Sequence, residues 1–106
     1  MNIQSDIINN IPILRVDGKI EPDFSPEFIK QVKALAGTDS NTIILDLHKT
    51  TFLDSAAIGI ICSIHIDLNR KGKKLEIMTD SSSDGFINQL FEMTGLDKIL
   101  NIIKAV

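Results

Sequence analysis

Along the chain, apolar positions switch between the two-residue period of strands and the three-to-four-residue period of helices. Two β-rich runs, Ile3 to Ile8 and Ile11 to Val16, are separated by Asn9-Asn10. Asn tolerates the positive φ that a two-residue loop demands, so this segment predicts an antiparallel hairpin. Pro12 has no ladder donor and belongs at the start of its strand or on an edge; Gly18 is expected to close that strand. Ser25-Pro26 reads as a helix N-cap followed by proline at the first helical position. Phe28, Ile29, Val32, Leu35 and Ala36 then recur at helical spacing up to a stop at Gly37. Thr42 to Leu47 shows almost no alternation, the pattern of a strand covered on both faces or placed centrally, and is assigned the sheet centre. A polar connection, His48 to Thr51, leads through Phe52-Leu53-Asp54-Ser55 to a long helix from Ala56 to Lys71 with Gly72 as its stop. Leu75 to Thr79 is a further strand, and Ser81 to Asp84 offer N-caps for a helix whose stripe is Phe86, Ile87, Leu90, Phe91 and Met93, ending at Gly95. Leu96 to Val106 is a short apolar remainder, a strand or a turn.

The predicted order β-β-α-β-α-β-α, with a last strand or turn, implies parallel crossovers in a mixed sheet. The fold class is therefore α/β, a sandwich in one domain of 106 residues. Composition agrees: 43% hydrophobic and 24% charged residues exclude a disordered or fibrous chain. A net charge of -3 argues against chain-wide attraction to nucleic acid or anionic membrane, and leaves protein or small-molecule partners. The apolar stretch from Ile58 to Ile66 is interrupted by Ser63 and His65 and is about half of the roughly 20 residues a membrane span needs, so membrane insertion is not expected. With one cysteine, Cys62, no intrachain disulfide can form, and no signal-peptide succession opens the chain. The cytoplasm is the default compartment. Absence of Trp and Tyr removes the usual ligand-cage and base-stacking anchors.

The strongest local feature is Asp54-Ser55-Ala56-Ala57-Ile58-Gly59, where a strand hands over to a helix. Read as an N-cap, Ser55 accepts a bond from a first-turn amide, and the amides and helix dipole there favour an anion, phosphate on Ser55 included. From spacing alone the reading that wins is a capped helix with tightly packed alanines, since most Ser residues before a helix are caps with no further role. Cys62 and His65 lie three apart on the long helix; two ligands without a second pair do not make a metal site, and core packing accounts for them. His48 reads as a solvated turn residue. Arg70-Lys71-Gly72-Lys73-Lys74 reads as a cationic helix end complementing the dipole. The long helix is apolar over more than one stripe, so it is either buried between layers or partly given to a partner. Asp17, Glu21 and Asp23 form an acidic stretch before the first helix. No acid/base pair, metal set or phosphate-cradling Gly-rich loop supports an enzyme.

Two blocks resemble a known family, the STAS domains, and within it the bacterial anti-sigma factor antagonists. Leu45-Asp46-Leu47 followed by Phe52-Leu53-Asp54-Ser55 is similar to the family's strand, loop and Asp-Ser-(Ser/Thr/Ala)-Gly-Leu-Gly element. Leu90 to Ile99 is similar to its helix end and following strand, and the hairpin, Gly18 and the helix near Ser25 fall in the family's order. The resemblance implies a STAS-like mixed sheet with crossover helices and a protein-binding switch without cofactor or metal. Ser55 maps onto the residue phosphorylated by an anti-sigma serine kinase, with a serine phosphatase implied as a second partner. The unmodified form binds the kinase and frees a sigma factor. The acidic loop lies near the phosphorylation loop, and strand ends on one side of the sheet bring Asp23 and Ser25 into one partner patch with Asp54, Ser55, Ala56, Ala57 and Ile58. Ala57 stands where the family usually has Gly, and the family's C-terminal helix is expected to be absent or reduced to a turn. These departures motivate an alternative, a constitutive STAS scaffold in a transporter or stress-signalling assembly. Monomer and weak dimer are both open, as is Ala57's place in the patch or in the core.

Overall fold

Asn9 and Asn10 take φ values of 52° and 66°, the left-handed pair a type I′ turn requires. They join β1 (Asn2–Ile8) to antiparallel β2 (Ile11–Ile20), with Ile8 opposite Ile11. Pro12 sits at the second position of β2, before the parallel ladder to the next strand begins at Ile13. The computed structural model describes residues 2–82 and 85–105. After the hairpin come α1 (Ser25–Ala36), β3 (Thr42–Leu53), α2 (Ser55–Arg70), β4 (Lys74–Thr79), α3 (Phe86–Thr94), a 3-10 turn (Leu96–Lys98) and β5 (Asn101–Lys104).

The sheet order is β1-β2-β3-β4-β5, and all pairings beyond the hairpin are parallel. Each crossover steps one strand in the same direction, and right-handed connections then place all three helices on one face. A single core cluster reflects this: Leu14 and Val16 of β2, Ile43, Leu45 and Leu47 of β3, and Leu75 and Ile77 of β4 meet Phe28 and Val32 of α1, Ile61 and Leu68 of α2, and Ile87 and Phe91 of α3. The alternate strand positions form an open face without helices. There Asp46 is buried between His48, whose Nδ1 is 2.6 Å from Oδ1, and Arg15, whose Nε is 3.6 Å from Oδ2.

Two strands run further than the hydrophobic pattern indicates. Gly18 does not close β2, and His48 to Thr51 are not a loop; β3 is one strand through Leu53. The cause is bulging of β3 against β2: Arg15 faces Asp46 but Asp17 faces Lys49, and Gly18 faces Thr50 but Lys19 faces Phe52. Gly18 absorbs the kink with φ 101°. The first shift leaves Val16 without a partner in β3, and the buried Thr50 Oγ1 donates to its carbonyl at 2.8 Å. His48 is consequently a strand residue paired with Asp46, not a solvated turn.

Other boundaries follow simple chemistry. Gly72, with φ 71°, turns the chain out of α2. The basic run is spread around that turn: Lys71 meets Asp67 at 3.3 Å, Lys73 Nζ donates to the Thr38 carbonyl at 3.4 Å, and Lys74 lies 3.6 Å from Glu76. Gly85 occupies the N-cap position of α3; of the expected caps, Ser83 and Asp84 lie outside the described residues. Only Ile87 and Phe91 of the α3 stripe are buried, while Phe86 and Met93 are exposed. Gly95 ends α3 with φ 77°, and the apolar remainder supplies both a turn and β5. Among the described residues no helix is long and apolar enough to cross a membrane.

Candidate functional site

The C-terminal end of β3 delivers Asp54 to the start of α2, and three contacts pin it there. Its amide donates to the Ile20 carbonyl at the end of β2, at 3.0 Å. Its Oδ1 accepts from the Ala57 amide at 2.8 Å, and its Oδ2 accepts from the Ser25 hydroxyl. Asp54 is therefore the N-cap of α2, with extended backbone at φ -80° and ψ 175°. The expectation that Ser55 caps this helix is corrected: Ser55 is its first residue, exposed, and its hydroxyl makes no hydrogen bond among the described residues. A carboxylate outcompetes a neighbouring hydroxyl for this role because a charge-assisted bond is stronger and the charge suits the positive helix end.

Ser25 is displaced in the same sense. It is the first residue of α1 rather than its cap, which is Phe24 with no side-chain bond. Its amide donates to the Glu21 carbonyl at 3.0 Å, and its buried hydroxyl reaches across to Asp54. The two strand-to-helix junctions are thus stapled together, so the loop carrying Asp23 and the first turn of α2 stand side by side. Asp23, Ser55 and Ala56 are exposed and Ile58 half-buried, whereas Ser25 is buried and lies beneath that surface. Ala57 is fully buried in the core cluster.

Asp17, Cys62, His65 and His48 are not brought to this junction. Asp17 belongs to β2 and lines the open-face pocket with Asp46, His48 and Lys49. Cys62 and His65 are half-buried on α2, and burial pushes the Cys62 thiol above its ordinary value. Among the described residues no cluster of three or more His, Cys, Asp or Glu side chains is arranged to hold a metal ion.

The STAS domain family model matches residues 2–106. The chain belongs to the STAS domain family. An anti-sigma-B factor antagonist from Staphylococcus aureus is 24% identical to this STAS domain over 102 residues, 96% of this chain and 92% of that protein. The crystal structure of an anti-sigma factor antagonist from Mycobacterium paratuberculosis superposes with a TM-score of 0.81 at 18% identity, covering 95% of this chain and 83% of that one. The phosphorylated form of the Bacillus cell fate determinant SpoIIAA superposes with a TM-score of 0.72 at 15% identity, covering 99% and 92%.

Around the junction the STAS domain also exposes three phenylalanines that the sequence pattern did not single out as surface. Phe24 immediately precedes Ser25, and Phe52, two residues before Asp54, packs on Phe86 of α3 with ring centroids 5.6 Å apart. Five phenylalanines are the chain's whole aromatic content; Phe28 and Phe91 fill the core, and these other three stay in water. The available signal was positional: Phe24 and Phe86 stand at helix starts, outside the buried stripe.

Proposed function

We propose that this STAS domain is a protein-binding switch, an anti-sigma factor antagonist that binds an anti-sigma serine kinase when unmodified and is released when the kinase phosphorylates Ser55. It acts without catalysis, cofactor or metal of its own, in the cytoplasm, with a serine phosphatase restoring the unmodified form. The observation that carries this reading is the exposed Ser55 hydroxyl at the first turn of α2, beside an Asp54 whose three contacts hold it in place. The name of the Staphylococcus aureus relative supports the class of partner. Phosphate adds roughly -1.5 to -2 charge at neutral pH. The first-turn amides of Ser55 and Ala56 have no intrahelical partner, and together with the helix dipole they offset the repulsion from Asp54. Because Ser55 takes no part in the cap, the fold persists while the partner-facing surface gains negative charge locally. Asp23, Ser55, Ala56 and Ile58, with the exposed phenylalanines, form that surface; Asp54, Ser25 and Ala57 support it from below. The methyl of Ala57 points into the core, so it does not favour the constitutive-scaffold alternative.

Intact-mass analysis with a cognate serine kinase tests the switch. The expected product carries one phosphate, absent in Ser55→Ala, and Ser55→Glu binds the kinase more weakly than wild type. An unmodified wild-type chain beside a fully phosphorylated control substrate of the same kinase would sink the proposal.

A further inference from the structure

The two edges of the sheet are built differently. β5 has four residues and ends on Lys104, the short and charged edge that resists pairing. β1 has seven residues, Asn2 to Ile8, without Pro, Gly, Lys or Arg. In a hairpin with a two-residue loop the flanking pair, here Ile8 and Ile11, is hydrogen-bonded, and bonded pairs then alternate. The backbone groups of Gln4, Asp6 and Ile8 are therefore turned to β2, and those of Ile3, Ser5 and Ile7 are turned to the free edge. These three side chains are uncharged and lie on the helix side of the sheet, opposite Val16, Leu14 and Pro12. Ile7 is 68% exposed, beside an apolar groove lined by Pro12, Ala34 and Leu35.

We infer that this edge pairs with β1 of a second copy of the chain, antiparallel about a twofold axis at Ser5. That register sets Ser5 against Ser5 and Ile3 against Ile7 twice, each pair exchanging both N–H···O bonds. It covers the exposed Ile7 with Ile3 of the other copy. On the open face it sets Asp6 against Gln4 and keeps the two Asp6 carboxylates apart, so the only charges on the strand meet amide donors. α1 packs over β2 and β3, and its Ala34 and Leu35 border the groove beside Ile7. One contact opposes association: Asp6 Oδ1 accepts from the Ile7 amide at 2.8 Å and must yield it, with Gln4 of the other copy as its replacement donor. The interface is small, of the size of weak and reversible contacts.

Sedimentation equilibrium of the full chain from roughly 10 µM to 1 mM, spanning the weak-association range, reads the proposal. Wild type is expected to rise from 11.7 kDa toward twice that mass. Ser5→Lys sets two ammonium groups opposite each other on the axis and abolishes the rise. Ser5→Pro removes an outward amide that β2 does not use and does the same. Melting curves establish that the variants are folded, and Ser5→Lys, on an exposed position, carries the test if Ser5→Pro does not fold. A wild type that stays at 11.7 kDa up to the highest concentration, or a dimer that survives Ser5→Lys, overturns the inference.

Discussion

Replacing Asp54 with Ala removes two bonds at once, and the structure sets what each is worth. Loss of an N-cap acceptor costs typically about 1 kcal/mol, within a range of about 0.5–2. The second loss leaves the buried Ser25 hydroxyl without its carboxylate, and an unsatisfied buried donor costs about 1–3 kcal/mol. Here the Glu21 carbonyl lies 3.3 Å from Ser25 Oγ and can take up the released proton, which places this loss at the lower end. The sum is about 2 kcal/mol, and for a domain of this size about 4–8 °C of melting temperature accompanies each kcal/mol. Ser55→Ala, in contrast, removes an exposed hydroxyl with no bond among the described residues, and its stability should stay within the ~0.5 kcal/mol scatter of surface substitutions. Thermal denaturation of both variants and of Ser25→Ala, followed by the Asp54→Ala/Ser25→Ala double variant, reads the coupling directly. Equal destabilisation by Asp54→Ala and Ser55→Ala would refute the assignment of the cap to Asp54. Additive effects of Asp54→Ala and Ser25→Ala would refute the staple.

Four further variants and reactions probe other parts of the domain. Gly59 is exposed on α2 and a Cβ there meets nothing within 4 Å, so Gly59→Ala should stabilise the helix by about 0.5–1 kcal/mol in a melting curve; loss of kinase binding at that higher melting temperature locates a close approach of the partner. Ala57→Leu should lower stability by roughly 1–3 kcal/mol through overpacking, a result that unchanged melting would contradict. Thr50→Val strands the Val16 carbonyl and should cost about 1–3 kcal/mol, visible as a shifted denaturant midpoint with an unchanged slope. Cys62 should react with iodoacetamide more slowly in the native chain than in urea, since burial raises its thiol above the ordinary value; equal rates would contradict this. The corresponding stability contribution is complete at neutral pH and is lost as the pH climbs past the ordinary value and through the raised one.

Element types were legible because they rest on local signals: Asn9-Asn10 for the hairpin turn, and the Phe28, Val32, Leu35 stripe for α1. The centre of the sheet was legible from the unbroken apolar run of β3. What escaped was decided by pairing rather than by composition. His48 to Thr51 are polar enough to read as a loop, yet a bulged register against β2 keeps them in the strand, and a bulge is set by pairing that the pattern of one strand does not encode. The caps show a second limit. Ser25 and Ser55 are good cap residues, but Asp54 and the neighbouring junction compete for the same amides and hydroxyls, and that competition spans 29 residues of sequence. The chemistry of the motif was readable; which atom did which job was not. Ala57 illustrates the same point, since small size serves an open surface and a tight core equally well, and only the packed neighbours decide.

The order of the strands in the sheet repeats their order in the sequence. During synthesis each strand therefore emerges to find the previous one as its neighbour, and no segment has to wait for, or be threaded past, a later one. Closing each crossover costs a loop of modest length, so the chain can grow its sheet outward from the hairpin one unit at a time. The last unit, β5, adds only a short edge. The junction bearing Ser55 lies at the middle of this succession, and both strands that anchor it, β2 and β3, are made before most of α2. Pairing of the two strands that position Ser55 thus needs no strand that comes later in the sequence.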